Sequence, residues 1–407
     1  CFMFCSQKQV AHESEGFSSE RLGRISSVMQ AEIDKGSIPG AVTLIARNGK
    51  IVHFQAHGFL DTDKTKPMPR NALFRLFSMT KPLVSVAALM LVEQGQMKLS
   101  DPISNWLPEL KNMKVLVEQR AAAGNATFEK VPAKRFITVQ DLLRHTSGFT
   151  YTGSAPFKAI NDAYTEADIS SIDTDVSPDE FLHRLAQIPL VWQPGTRWEY
   201  SISTDVLGVL LERMTGTRLD ILLDTMIFQP LQMEDTSFQV KPDQMARLAD
   251  AFDSDPLKTQ LWKSSRITED PGKRYRLGGA GAASTAEDYF RFTQMVVNGG
   301  ELDGVRLLSR KTVGYMLSNH IPDFPGSTAG TTGPGYGFGL GFGIRLQEGF
   351  AVVPGSAGDA MWAGAGGTSF TIDPKEKIVG VFMAQAPTSR LHTRFLFKNL
   401  LYGALVK

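Results

Sequence analysis

The strand-like stretches of this 407-residue chain lie near its two ends, and the long stretch between them is patterned mainly as helix. That order builds a sheet from both ends of a chain, with helical material inserted between them. Leu22, Ile25, Met29 and Ile33 recur at three- and four-residue steps between a capping Ser18 or Ser19 and a stopping Gly36, which predicts an amphipathic helix. Ala41 to Ala46 and Ile51 to Ala56 then flank Asn48-Gly49, the pattern of a β-hairpin with a tight primed turn. Near the C-terminus Tyr336 to Leu346, Thr368 to Ile372 and Ile378 to Ala384 predict three more strands, followed by a helix from Arg390 to Leu405. In the middle, Val139 to Arg144, Pro178 to Ile188, Thr204 to Thr215 and Ile221 to Phe228 read as helix. The expected fold is α/β, an antiparallel sheet flanked by helices with an inserted, mainly helical domain. Residues 15–77 and 271–407 are expected to form the sheet domain and 78–270 the helical one, with an active site between them.

Composition removes several function classes. Lys plus Arg total 43 against 42 for Asp plus Glu, and a net charge of +1 gives no electrostatic case for nucleic acid. No apolar stretch approaches the ~20 residues that span a bilayer. The seven histidines show no close pair at ligand spacing and the only thiols are Cys1 and Cys5, so no metal and no cofactor are expected. The apolar Cys1-Phe2-Met3-Phe4-Cys5 reads as a signal-peptide stump, a lipid-modified cysteine or an unstructured tail, which leaves a cytoplasmic and a periplasmic or secreted location both open. The oligomeric state is equally open.

The chemistry concentrates at Ser78-Met79-Thr80-Lys81, the only Ser-x-x-Lys in the chain, followed by an apolar run from Leu83 to Val92. A serine hydroxyl is a weak nucleophile until a base takes its proton, and helical spacing places Lys81 on the same face as Ser78. A helix N-terminus adds free N–H groups and a positive dipole end. Pro82 suits a first turn, so a helix is expected to open close to Ser78.

Two further segments complete a pattern: Pro194-Gly195-Thr196-Arg197-Trp198-Glu199-Tyr200-Ser201, and Met361-Trp362-Ala363-Gly364-Ala365-Gly366-Gly367. With them the chain resembles the serine β-lactamase and penicillin-binding protein superfamily, in particular the class C-like branch that includes the family VIII carboxylesterases. Ser78 and Lys81 match its Ser-x-x-Lys. Tyr200 matches its Tyr-x-Asn, Trp362-Ala363-Gly364 corresponds to its Lys-Thr-Gly, and Leu142-Leu143-Arg144-His145-Thr146-Ser147-Gly148 is a further string of this branch. The resemblance runs from the first helix to the last and implies a β-lactamase/transpeptidase-like fold. It also implies an acyl-enzyme on Ser78, an oxyanion hole from the backbone N–H groups of Ser78 and Ala365, and substrate contacts from Trp362 and Gly364, with Tyr151 and Asp205 near the substrate or serving as scaffold. Gly364, Gly366 and Gly367 would let the strand approach the substrate closely.

Two departures bear on the substrate. Ile202 stands where β-lactamases have the asparagine of Tyr-x-Asn, and Trp362 replaces the lysine that pairs with a substrate carboxylate; both changes favour an uncharged short-chain ester, with Arg345 or another cation open as a substitute for the lysine. Gly-x-Ser-x-Gly is absent, and His145 reads as part of a hydrogen-bonded turn rather than a triad. Either Tyr200, with its phenolate favoured by the Lys81 ammonium, or Lys81, neutralised by burial, must take the serine proton, and the sequence leaves both open. The expected activity is a serine carboxylesterase acting on small esters, with weak β-lactam binding compatible. Its rivals are a β-lactamase, D,D-peptidase, amide hydrolase or acyltransferase on the same fold, and a non-catalytic acyl-binding sensor.

Overall fold

The computed structural model describes residues 12–120, 126–169, 176–265 and 275–407; the Cys1–Cys5 segment lies outside them. After a 3-10 turn at His12–Glu15 comes helix α1, Ser19–Asp34, capped by the Ser18 hydroxyl, which accepts from the Arg21 N–H. The hairpin follows as β1, Gly40–Arg47, and β2, Lys50–Gly58. Asn48 and Gly49 turn it with φ of 54° and 77°, the left-handed pair a primed turn demands. Helices α2, Thr80–Glu93, α3, Ser203–Thr215, and α4, Ala286–Val297, come next. The remaining strands of the sheet are β3, Tyr336–Phe338, β4, Gly343–Arg345, β5, Ala360–Ala363, β6, Ser369–Asp373, and β7, Ile378–Ala384, and α5, Arg390–Ala404, ends the fold.

The seven strands form one antiparallel sheet in the order β2-β1-β7-β6-β5-β4-β3, so the first hairpin joins the C-terminal strands through β1 and β7. Alternation along the strands supplies two cores. Ala41, Ile45, Ile378 and Phe382 bury against Leu22, Ile25 and Met29 of α1 and Phe397 and Leu401 of α5. The alternate side chains Val42, Leu44, Val379, Val381 and Met383 join the larger core containing α2, α3 and α4. Each fully buried aliphatic or aromatic side chain contributes about 1.5–3 kcal/mol. A one-residue slip would send every one of them to the wrong face, so the register is strongly specified.

Three expectations change. The stretch read as one strand over 336–346 is a short hairpin, β3 and β4, because Gly341 turns with φ of 92° where an added Cβ would come within 2.3 Å of Ser85 Oγ on α2. The pattern over 221–228 is a helix at Leu219–Leu223 that widens into a π turn at Asp224–Phe228. Within the stretch read as mainly helical, Lys114–Arg120 and Ala126–Pro132 pair as an antiparallel hairpin, and Val115 buries one side of it.

Candidate active site

Ser78 stands at a forced corner. The two-residue strand Phe74–Arg75 pairs with Ala283–Ser284, and the chain then tightens into a 3-10 turn at Phe77–Met79 that runs straight into α2. Phe77 has φ of 47°, a conformation costing a bulky L-residue about 1–3 kcal/mol. Three bonds hold the corner: Leu76 N–H donates to Ala282 O at 2.9 Å, Ala282 N–H to Thr80 Oγ1 at 3.1 Å, and the Tyr289 hydroxyl to Met79 O at 2.8 Å. The corner leaves Ser78 only partly buried while both neighbours, Phe77 and Met79, are buried.

Lys81 and Tyr200 meet at the Ser78 hydroxyl. The Tyr200 hydroxyl donates to Ser78 Oγ at 2.7 Å, and Lys81 Nζ donates to the same oxygen at 3.3 Å. Lys81 Nζ also lies 4.9 Å from the centre of the Tyr200 ring and 5.5 Å from that of Tyr151. Lys81 is buried, and its second bond goes to Gly279 O at 2.8 Å. The N–H of that same Gly279 donates to Asp205 Oδ1 at 3.1 Å, so one peptide group stands between the buried carboxylate and the buried ammonium. Burial raises the Asp205 carboxyl to about 6, with Lys81 and the Gly279 N–H acting against the rise. Only glycine fits at 279, since an added Cβ would lie 2.4 Å from Asp205 Oδ2.

His145 belongs to the support of this cluster. Its Nδ1 lies 3.2 Å from Ser201 Oγ, its backbone carbonyl accepts from Glu199 N–H at 2.9 Å, and its ring packs 5.0 Å from that of Tyr200. Burial, with the nearby Lys81 charge, holds the imidazole well below its usual range, so it is neutral at pH 7. Tyr151 packs its ring 5.3 Å from Tyr200, and burial with the Tyr200 and Asp205 neighbours pushes its phenol well above the ordinary value.

The segment after β5 closes on the corner from the other side. Gly364 N–H donates to Thr368 O at 2.8 Å and Gly367 N–H to Gly364 O at 3.1 Å, forming a tight turn around Ala365. Thr368 Oγ1 donates to Leu76 O at 3.3 Å, which ties the turn to the approach to Ser78. A Cβ at Gly364 would come within 2.2 Å of Leu76 O, and one at Gly366 within 2.6 Å of the Phe77 ring. Glycine is thus what allows the turn to approach Ser78. Among the described residues the Ala365 N–H donates no hydrogen bond.

Three sequence expectations are corrected here, for Trp362, Ile202 and Arg345, and Asp205 takes the scaffold role that was one of the two open for it. Trp362 is 1 % exposed and stands edge-on to Tyr200 at 5.4 Å and to Phe338 at 5.2 Å, so it backs the Tyr200 ring rather than offering a wall to substrate. Its strand position turns the indole into the larger core, leaving Nε1 without a partner. Ile202, at the entry to α3, is fully buried, and Asp205 reaches the site only through the Gly279 peptide. Arg345 is not a spare cation: it is buried, with Nε on Asp359 Oδ2 at 2.6 Å and Nη2 on Pro354 O at 2.9 Å.

Sequence reasoning passed over Phe77, Gly279 and Trp262. Trp262, on the helix Lys258–Ser265, sets its ring 5.9 Å from Phe77 and 5.2 Å from the Arg75 guanidinium, and its Nε1 donates to Asp250 Oδ1 at 2.6 Å. The Gly278-Gly279-Ala280-Gly281 run was the visible signal for a close approach at 279. Nothing local marked the other two. Among the described residues no cluster of three His, Cys, Asp or Glu could hold a metal, and no helix is long and apolar enough to cross a membrane.

An antiparallel sheet flanked by helices, with Ser, Lys and Tyr hydroxyl and amine groups gathered at the start of a buried helix, is the architecture of a serine hydrolase of the β-lactamase fold. The β-lactamase family model matches residues 25–400, and the chain belongs to that family. Esterase EstB of Burkholderia gladioli is 32% identical over 368 residues, covering 86% of each chain. Among solved structures, EstCE1, described as a hydrolase with promiscuous acyltransferase activity, superposes with a TM-score of 0.78 at 28% identity, covering 94% of this chain and 99% of its own. Simvastatin synthase (LovD) from Aspergillus terreus superposes with a TM-score of 0.77 at 25% identity over 95% of this chain and 99% of its own.

Proposed function

We propose that this protein is a serine carboxylesterase that cleaves small, uncharged esters through an acyl-enzyme on Ser78. The observation that carries the reading is the pair of hydrogen bonds converging on Ser78 Oγ, a short one from Tyr200 at 2.7 Å and a longer one from Lys81 at 3.3 Å. Ser78 Oγ attacks the ester carbonyl while its proton passes to the Tyr200–Lys81 pair in the form that lacks one proton, Tyr200 as phenolate or Lys81 as neutral amine. The Ser78 and Ala365 N–H groups receive the oxyanion, and a preorganised donor of this kind typically contributes ~3–4 kcal/mol to the transition state. Collapse expels the alcohol, which takes the proton back from the same pair. Water then repeats the sequence on the acyl-enzyme and releases the acid.

Substrate charge follows from what surrounds Ser78. The Tyr151 and Tyr200 rings pack together beside Lys81, Lys81 is buried and engaged, and Arg345 is committed to Asp359. Among the described residues neither Lys81 nor Arg345 is free to meet a substrate carboxylate, and desolvating that charge beside the tyrosine rings is unfavourable. An uncharged ester has no such cost, and EstB bears the name of an esterase. Acyl transfer to an alcohol in place of water is a second reading, favoured by the likeness to EstCE1, a hydrolase with promiscuous acyltransferase activity.

The test is a side-by-side assay of p-nitrophenyl acetate and butyrate, a chromogenic cephalosporin and a D-Ala-D-Ala peptide. The expected kcat/KM for the esters exceeds that for the cephalosporin by at least ~10², about 2.7 kcal/mol in transition-state binding. A better rate on the cephalosporin would turn the reading towards a β-lactamase. A burst of one acyl group per chain without turnover would mark a sensor, and faster p-nitrophenol release on adding a primary alcohol would mark a transferase.

A further inference from the structure

On the face of the sheet that α5 covers lies a small cavity, bounded by Met361, Ser369, Thr371 and Gly380 from the strands and by Arg394 and Lys398 from the helix. Its other walls are largely apolar, and it has room for one or two water-sized particles. Met361 lines it while the next residue, Trp362, points away to Tyr200. The cavity is therefore separated from the Ser78 site by the sheet itself.

Two polar side chains on this cavity lack partners. Arg394 is 6 % exposed, spends Nη1 on Thr331 O at 2.9 Å, and leaves both Nε and Nη2 unsatisfied. Thr371, 4 % exposed, leaves Oγ1 unsatisfied. Burial lowers the Arg394 guanidinium to about 10, still fully charged at neutral pH. A buried cation with two idle donors is costly unless an anion or water meets it.

The surrounding charges do not balance. Arg345 and Lys398 share the single carboxylate of Asp359, at 2.6 Å and 3.0 Å. With Asp373, which accepts from the Tyr402 hydroxyl at 2.9 Å and also acts on Lys398, two carboxylates face the three buried cations Arg345, Arg394 and Lys398. One positive charge is left over, and the nearby Arg390 adds to the same sign.

We propose that this cavity binds a small monovalent anion of halide size, held by the free Arg394 donors and the Thr371 hydroxyl, and that the anion ties α5 to the sheet. An occupant of the folded state alone raises Tm with its concentration.

The test is a bromide soak of crystals of the intact protein, read by anomalous scattering, together with melting curves in sodium chloride and in sodium gluconate at equal ionic strength. The expected result is a bromide peak between Arg394 and Thr371 and a Tm higher in about 0.2 M chloride than in gluconate by about 2–4 °C. That difference is expected to vanish in R394M and to shrink in T371V. If R394M does not fold, T371V and the bromide map decide. Absence of the bromide peak, or a chloride effect that persists undiminished in the folded variants, overturns the proposal.

Discussion

Among the described residues two lysine–tyrosine pairs have opposite surroundings, Lys398 with the buried Tyr336 and Lys81 with the half-buried Tyr200. Lys398 Nζ bonds the Tyr336 hydroxyl at 2.9 Å and Asp359 Oδ2 at 3.0 Å, while the same tyrosine hydroxyl donates to Asp359 Oδ1 at 3.2 Å. Burial lowers Lys398 to about 8 and raises Tyr336 well above its ordinary value, with the Asp359 charge adding to the rise. In the other pair, Lys81 and Tyr200 converge on a serine hydroxyl, and the carboxylate of Asp205 is held one peptide group away behind Gly279. A carboxylate in direct contact would hold the tyrosine proton and neutralise the ammonium. A serine in that place leaves a proton free to move. The same two residue types thus form scaffold in one place and, on the proposed mechanism, a proton-handling pair in the other.

The largest effect that can break this contrast is at the serine. Ser78→Ala is expected to lower kcat by more than ~10³ with an unchanged melting curve, and a serine-reactive phosphonate should label Ser78 by mass spectrometry; labelling elsewhere would remove the site. Next comes the scaffold pair. Asp359→Asn leaves Arg345 and Lys398 buried without a carboxylate and is expected to cost about 3–5 kcal/mol in urea denaturation, while the folded fraction keeps its ester kinetics. A selective loss of kcat instead would mean that the two pairs are not separate in role.

Lys81→Ala and Tyr200→Phe are each expected to lower kcat by at least ~10². In the double variant the losses should not multiply, because both residues serve one proton. Losses that multiply would show two independent functions.

The smallest effect concerns a third buried polar cluster, one that carries no charge at neutral pH. Thr43 Oγ1 lies 2.7 Å from His53 Nε2 and 3.0 Å from His57 Nε2. Burial depresses these imidazoles to about 3 and about 4, the His53 shift being helped by the His57 charge. The unfolded chain, with ordinary values near ~6.5, binds more protons than the folded one between pH ~6.5 and these depressed values, so stability is full above pH ~6.5 and falls as the pH drops through that window. A loss on the order of 1 kcal/mol per histidine by pH ~5.5 is expected, read as Tm against pH. His53→Gln should flatten the curve, and an equally steep curve in that variant would place the acid sensitivity elsewhere.

How much could be read in advance depended on the distance over which each feature is decided. The Asn48-Gly49 turn, the alternation of Ile378 to Ala384 and the helix after Ser78 are local, and the structure has strands at Gly40–Arg47, Lys50–Gly58 and Ile378–Ala384 and a helix at Thr80–Glu93 as their patterns imply. The hairpin at Lys114–Arg120 and Ala126–Pro132 was missed because its strands pair mostly outside the core, with Phe128 47 % exposed, and so lack a full apolar stripe. Tyr200 was reached only through the family resemblance, since it lies 122 residues from Ser78 and no spacing rule connects them. The burial of Trp362 and the capture of Arg345 by Asp359 could not be read at all, because each depends on which face of a strand meets which distant element.

By itself, then, the sequence determined the two-ended sheet, the serine–lysine spacing at the start of a buried helix and the family, because backbone periodicity and motif spacing are properties of neighbouring residues. Only the tertiary structure decided that Trp362 backs Tyr200, that Gly279 stands between Asp205 and Lys81, and that Arg345 is spent in an ion pair while Arg394 is left with idle donors. Burial and charge pairing are set by residues brought together from far apart in the chain, and the free energy of a buried polar group depends on those partners.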